Sequence, residues 1–174
     1  ASYDVTIVFG GIAIAGTRAR KQRTMSSNAF TSVNFPPLAY IRNDRIVRAG
    51  AAGATPGADA ALAEAPLPPV FRTLDDRVAV LKLTPGLSPF KEAIFDWVDS
   101  GRSIVLTTQV PEEGLDLGVY EVGRAYAEHP GILRGGDMST EAIVAKMMWA
   151  LGQARDPLDI EQLFYHPINH DRQM

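Results

Sequence analysis

A chain of 174 residues can bury one ordinary domain, or one domain and part of another, and its 46% hydrophobic and 21% charged content is globular rather than disordered. The net charge of −3 argues against general attraction to nucleic acid, and no apolar run reaches the length of a membrane span. Cysteine is absent, which removes disulfides and thiolate chemistry and fits a cytoplasmic location.

The chain opens on Tyr3-Asp4-Val5-Thr6-Ile7-Val8-Phe9-Gly10, which already reads as a buried strand and predicts that upstream sequence is missing. Residues 5–9 and 12–15 flank Gly10-Gly11 and predict a hairpin. Residues 17–34 are polar and read as a long loop, and the basic cluster of Arg18, Arg20, Lys21 and Arg23 reads as a solvated loop or an interface rim. Residues 38–42 and 45–48 flank Asn43-Asp44, the signal for a second hairpin. Residues 49–70 hold Ala, Gly and Pro with few large apolar side chains, which predicts a linker and a domain boundary.

Beyond the linker, strands alternate with helices. Residues 78–83 read as a strand stopped by Pro85-Gly86. Phe90, Ile94, Phe95 and Val98 share one helical face, and Ser100-Gly101 ends that helix. Residues 103–108 read as a strand, 110–118 as a loop, 120–128 as helix or turn, and Ile132-Leu133 as a short strand. Ser139 is placed to cap a long helix with Glu141 in its first turn, and Ile143, Val144, Met147, Met148 and Leu151 form its apolar stripe. Asp156-Pro157 starts a last helix with Ile160, Leu163 and Phe164 facing the core. The alternation argues for a small parallel α/β sheet.

Some local groups suggest chemistry. Thr17 beside Lys21 could pair a nucleophilic hydroxyl with a base, although a polar hairpin loop explains both residues. Thr107-Thr108-Gln109 lies at a strand's C-terminal end, where open α/β sheets place ligands. Asp137 reads as a capping or turn aspartate ahead of the long helix. His166, His170 and Asp171 have near-helical spacing for a metal, but Pro167 interrupts it and only an exposed tail follows, so no metal is expected. Neither Gly10-Gly11 nor Gly135-Gly136 continues into a phosphate or dinucleotide loop. The group Met147-Met148-Trp149 is helix core.

Several segments, in order, resemble the L-asparaginase family. Gly135-Gly136-Asp137-Met138-Ser139-Thr140-Glu141-Ala142 is similar to the family's GGDM segment near its C-terminus. Gly16-x-Arg18-x-x-Lys21 resembles its hairpin loop, and Phe30 to Leu38 its F-x-S-x-N-x-P-P-L stretch. Val80 to Leu87 resembles a strand and P-G turn, Ser100-Gly101 to Val110 a further strand, Gly118-x-Tyr120-x-x-Gly123 a loop, and Arg155-Asp156-Pro157 with Ile160 and Phe164 the closing helix. The resemblance covers nearly the whole chain.

It implies an α/β fold: residues 1–48 as the hairpin remnant that ends a larger α/β domain, 49–70 as linker, and 71–174 as the small parallel-sheet C-terminal domain. It implies hydrolysis of L-asparagine to L-aspartate and ammonia by a threonine nucleophile, with L-glutamine a second substrate, no metal or organic cofactor, and a homo-oligomer without nucleic-acid or membrane partners. Glu121 is the substrate-binding residue it suggests, reaching the α-ammonium of a substrate held by a neighbouring subunit, with Glu112 and Glu113 weaker candidates. The alternatives are a non-catalytic regulatory or oligomerisation module, or a domain of an amidotransferase subunit. Two departures stand out. The T-G-G-T and G-T-D-T segments that carry the family's threonines are not among the 174 residues. Pro85-Gly86-Leu87 also passes almost directly into the helix near Phe90-Lys91, where the family has another strand and a glycine-rich loop.

Overall fold

The computed structural model describes residues 5–49, 71, 73–81, 90–110, 112–115, 126 and 128–173. The N-terminal hairpin forms as the glycine turn predicts: β1 (Thr6–Phe9) pairs antiparallel with β2 (Ile12–Ala15). A single 3-10 turn at Gly16–Arg18 then leads into β3 (Ala19–Lys21), which pairs with β4 (Phe30–Ser32). The long-loop reading of residues 17–34 is therefore corrected. Arginine, lysine and serine on both faces hide the strand alternation, and cross-strand register supplies what propensity does not.

The second hairpin comprises β5 (Ala39–Arg42) and β6 (Arg45–Arg48). Asn43 and Asp44 carry φ of 49° and 57°, the left-handed pair that a two-residue type I′ turn requires. Pairing of β2 with β5 completes an antiparallel sheet in the order β1-β2-β5-β6. Ile14, Ala15 and Ala39 are its buried residues, so the small side chains sit where the chain packs most closely.

In the second half, α1 (Phe90–Asp99) precedes β7 (Ile104–Leu106), which pairs in parallel with β8 (Ile132–Arg134). The helices α2 (Thr140–Gln153) and α3 (Pro157–Tyr165) follow. The α/β class is as expected. The predicted strand at 78–83 is not: residues 78–81 join no ladder, and 82–83 lie outside the described residues, as do 50–70 of the linker and most of 120–128. Val78 to Leu81 instead line an apolar cavity of about 280 Å³ with β7, Ile94, Trp97 and Met147.

One core cluster joins Leu133 of β8 to Met138 in the turn before α2, to Ile143, Met147 and Ala150 on α2, and to Ile160 and Phe164 on α3. A second joins Ile94 of α1 to Tyr126 and Ile132. Two glycines let backbone come close. A Cβ on Gly135 would lie 2.6 Å from Ile143 Cδ1, and one on Gly152 would lie 2.5 Å from the Thr73 carbonyl oxygen. The Thr73 hydroxyl donates to the Gly152 carbonyl, and Gln153 donates to Thr73, so residues 73–75 run along α2.

Ser139 caps α2 as predicted, its hydroxyl accepting from the Ala142 amide at 3.1 Å. Asp156 does the same for α3, accepting from the Asp159 amide with Pro157 in the first turn. Ser139→Ala will cost about 1 kcal/mol. Urea denaturation at unchanged m-value would show it as a lower midpoint, and an unmoved midpoint would mean that the cap contributes nothing.

Candidate functional site

The residues that the motifs mark converge on one junction between the N-terminal hairpins, the turn before α2 and the C-terminal residues 166–173. Arg18 sits in the 3-10 turn and is fully buried. Its Nη1 donates to Asp137 Oδ2 at 2.7 Å and to the Asp137 carbonyl at 3.0 Å, and its Nε donates to the His170 carbonyl. Its Nη2 is buried with no acceptor among the described residues. The solvated-loop reading is thus corrected for Arg18. An arginine goes into a core only with a carboxylate to meet it, and here that carboxylate belongs to the Gly135-Gly136-Asp137-Met138 turn.

Asp137 is therefore not the cap of α2, a role that Ser139 takes. Its carboxylate also accepts from the Gln173 amide, and its carbonyl accepts from Asn34 Nδ2 at 2.9 Å. Gln173 Nε2 returns a hydrogen bond to the Asn34 carbonyl, and Asn34 Oδ1 accepts from the Glu113 amide. Asn34 and Glu113 have φ of 52° and 71°, strained values for side-chain-bearing residues. A polar cavity of about 390 Å³ opens here, lined by Asn34, Glu112, Glu113, Asp137 and Gln173.

A second buried pair anchors the same C-terminal segment. Lys146, on the inner side of α2, donates to Asp171 Oδ2 and to the His166 carbonyl, each at 2.6 Å. Asp171 Oδ1 accepts from the Ile168 amide. Burial pulls the Lys146 ammonium below its ordinary value of 10.5, against the opposing hydrogen bond and charge of Asp171. His170 stacks on Phe35 with ring centroids 4.9 Å apart. The segment read as an exposed tail is a strap across both halves.

The other sequence-marked residues fall as follows. The Thr17 hydroxyl donates to the Asn169 carbonyl, which ties it to the strap. Lys21 is exposed at the end of β3, opposite Phe30. Glu121 lies outside the described residues, as do Gly118, Tyr120 and Gly123. Glu112 and Glu113 are exposed on the rim of the polar cavity. Thr108 Oγ1 accepts from the Val110 amide, while Thr107 lines the apolar cavity. The Asp171 carboxylate is taken up by Lys146, and no group of three metal-ligating side chains occurs among the described residues. Sequence reasoning did not foresee the burial and ion pairing of Lys146 and Arg18. Each interrupts an otherwise regular pattern, a polar residue on an apolar helix face and an arginine between two small strands.

The comparisons with known proteins agree with this geometry. Residues 1–51 match the family described as Asparaginase, N-terminal, and residues 84–164 match the Glutaminase/Asparaginase C-terminal domain. An L-asparaginase of Thermococcus kodakarensis is 31% identical over 193 aligned positions, covering 94% of this chain and 56% of that protein. A Glutamyl-tRNA(Gln) amidotransferase subunit of Halobacterium salinarum is also 31% identical, over 82% of this chain and 40% of its own length. The structure of the thermostable L-asparaginase from Thermococcus kodakarensis superposes with a TM-score of 0.77 at 26% identity, covering 98% of this chain and 58% of that one. L-asparaginase I from Vibrio cholerae superposes with a TM-score of 0.65 at 20% identity, a likeness of fold. The chain spans about half the length of these relatives. With N-terminal and C-terminal family segments both present and tied together through the Arg18–Asp137 pair, the chain belongs to the asparaginase family.

Proposed function

We propose that this chain forms part of an amidohydrolase that converts L-asparagine to L-aspartate and ammonia, with L-glutamine as the second substrate. Amide hydrolysis by a hydroxyl needs a nucleophile whose proton a base can take, and donors for the oxyanion. Thr17 is engaged as a donor to a backbone carbonyl, and Lys21 stands exposed on β3. The threonine nucleophile is therefore assigned to residues outside these 174, and Glu121 to the substrate's α-ammonium in a neighbouring subunit's site. The observation that carries the reading is the presence, in family order, of both asparaginase segments on one chain.

The test is Glu121→Gln in a protein that also carries the nucleophile segments. The substitution keeps volume and removes charge, so kcat/KM for L-asparagine should fall by about 1–3 kcal/mol, the range for a lost charge-assisted hydrogen bond. Glu112→Gln should do much less. Unchanged kinetics in Glu121→Gln would remove that residue from the site.

The match to the Glutamyl-tRNA(Gln) amidotransferase protein favours a second reading, in which the same domain releases ammonia for a partner's use. The two separate on substrate preference and dependence: free asparagine turned over without a partner supports the first, and ammonia release that requires a partner protein supports the second.

A further inference from the structure

The apolar cavity bounded by residues 78–81, β7, α1 and α2 takes no part in the amide chemistry. Its volume is about 280 Å³, and its walls include the buried Ile94 and Met147. Val80, Leu81 and Trp97, which also line it, are 54%, 66% and 39% exposed. β7 is a parallel strand, a kind normally covered on both faces. Its three residues are nevertheless only half-buried, because the cavity runs along them. Apolar walls left open to water in this way mark a place that an apolar partner covers.

The polar groups of the lining indicate what that partner carries. Arg102 is exposed at the cavity, its amide donating to the Trp97 carbonyl and its Nη1 to the Ser100 hydroxyl at 2.6 Å. No carboxylate meets its guanidinium among the described residues. Arg77, the other cation of the lining, is already satisfied, since the Asp75 carboxylate accepts from its Nε and Nη2. The side-chain hydroxyls of Ser103, Thr107 and Thr140 face the same space and make no hydrogen bond among the described residues. An apolar pocket with one open charge and a few hydroxyls holds a ligand's body by burial and orients it by its polar end. A single guanidinium fork matches one planar carboxylate, whereas a doubly charged phosphate would call for further cations.

We propose that this cavity binds a medium-chain monocarboxylate, with its alkyl body against β7 and α2 and its carboxylate on Arg102. A cavity of about 150 Å³ takes benzene, so this one suits an alkyl body of roughly eight to ten carbons. The proposal goes beyond the amidohydrolase reading and does not depend on it, since ligand binding and ammonia release are read separately.

The cavity carries its own reporter. Trp97 lines it, while Trp149, the second of the chain's two tryptophans, packs against the α2 core. Titrating the full chain with octanoate should shift the tryptophan emission to the blue and saturate, and acetate should leave it unchanged. Calorimetry with octanoate and n-octanol then separates head from body. Arg102→Gln, an exposed substitution that should leave circular dichroism and melting as in the parent, should weaken octanoate by about three- to tenfold, the range for an ionic hydrogen bond at a rim. It should leave n-octanol unchanged. Val144→Phe places a ring in the cavity from α2 and should abolish binding of both while the chain stays folded. An octanoate titration that does not saturate, equal responses to acetate and octanoate, an Arg102→Gln variant that binds octanoate as the parent does, or a folded Val144→Phe variant that still binds would each overturn the proposal.

Discussion

Asp137→Ala will destabilise the folded chain by about 3–5 kcal/mol, because it strips the counter-charge from a fully buried arginine. What remains around the guanidinium is the His170 carbonyl, the backbone carbonyl of residue 137 and the Phe35 ring 5.5 Å away, and Nη2 already lacks an acceptor among the described residues. An arginine cannot shed its proton at accessible pH, so no change of pH relieves the cost. Asp137→Asn keeps the acceptor and the shape while removing the charge, and should cost less, about 1.5–3 kcal/mol. Urea denaturation at fixed pH measures both. If Asp137→Ala unfolds at the parent's midpoint, the Arg18–Asp137 pair does not hold the hairpins to the α2 turn.

Asp171→Ala should cost a similar 3–5 kcal/mol at neutral pH, since it breaks the other buried pair. Its pH signature differs, because lysine can neutralise. In the parent, burial lowers the Lys146 value below the unfolded 10.5 despite Asp171. Between the lowered value and 10.5 the unfolded state binds more protons than the folded state, so stability rises with pH across that window. Removing Asp171 takes away the two influences that raise the Lys146 value, its hydrogen bond and its charge. The folded value drops further and the window extends to lower pH. Asp171→Ala should therefore recover stability relative to the parent as pH rises toward 10, while Asp137→Ala, which keeps the Lys146–Asp171 pair, shows only the parent's own rise. Parallel stability–pH curves for the two variants would contradict the assignment.

These two pairs also show why part of the molecule was legible in the sequence and part was not. The hairpins were legible because their signals are local: glycines at 10 and 11, and Asn43-Asp44 between two apolar runs. The starts of α2 and α3 were legible for the same reason, a hydroxyl or carboxylate three residues before the amide it satisfies. Arg18 was not, because its carboxylate lies 119 residues away and nothing in its neighbourhood predicts burial. Lys146 interrupts an apolar stripe whose other members were identified, and its partner Asp171 lies past a proline that reads as the start of a loose end. Val78 to Leu81 has strand composition and no ladder, since pairing depends on a neighbour as well as on propensity. The candidate site was half-legible. Its motif residues stood out, but the junction of Arg18, Asn34, Asp137 and Gln173 exists only once the chain is folded.

The measurement that bears most directly on the functional account is ammonia release from L-asparagine and L-glutamine by the purified 174-residue chain, with its intact mass checked against 18.8 kDa and heat-inactivated protein as control. The expected result is no release above the control, because the threonine nucleophile is assigned to residues outside this chain. Sustained turnover by protein of that mass would contradict the account and make Thr17 and Lys21 the first positions to substitute.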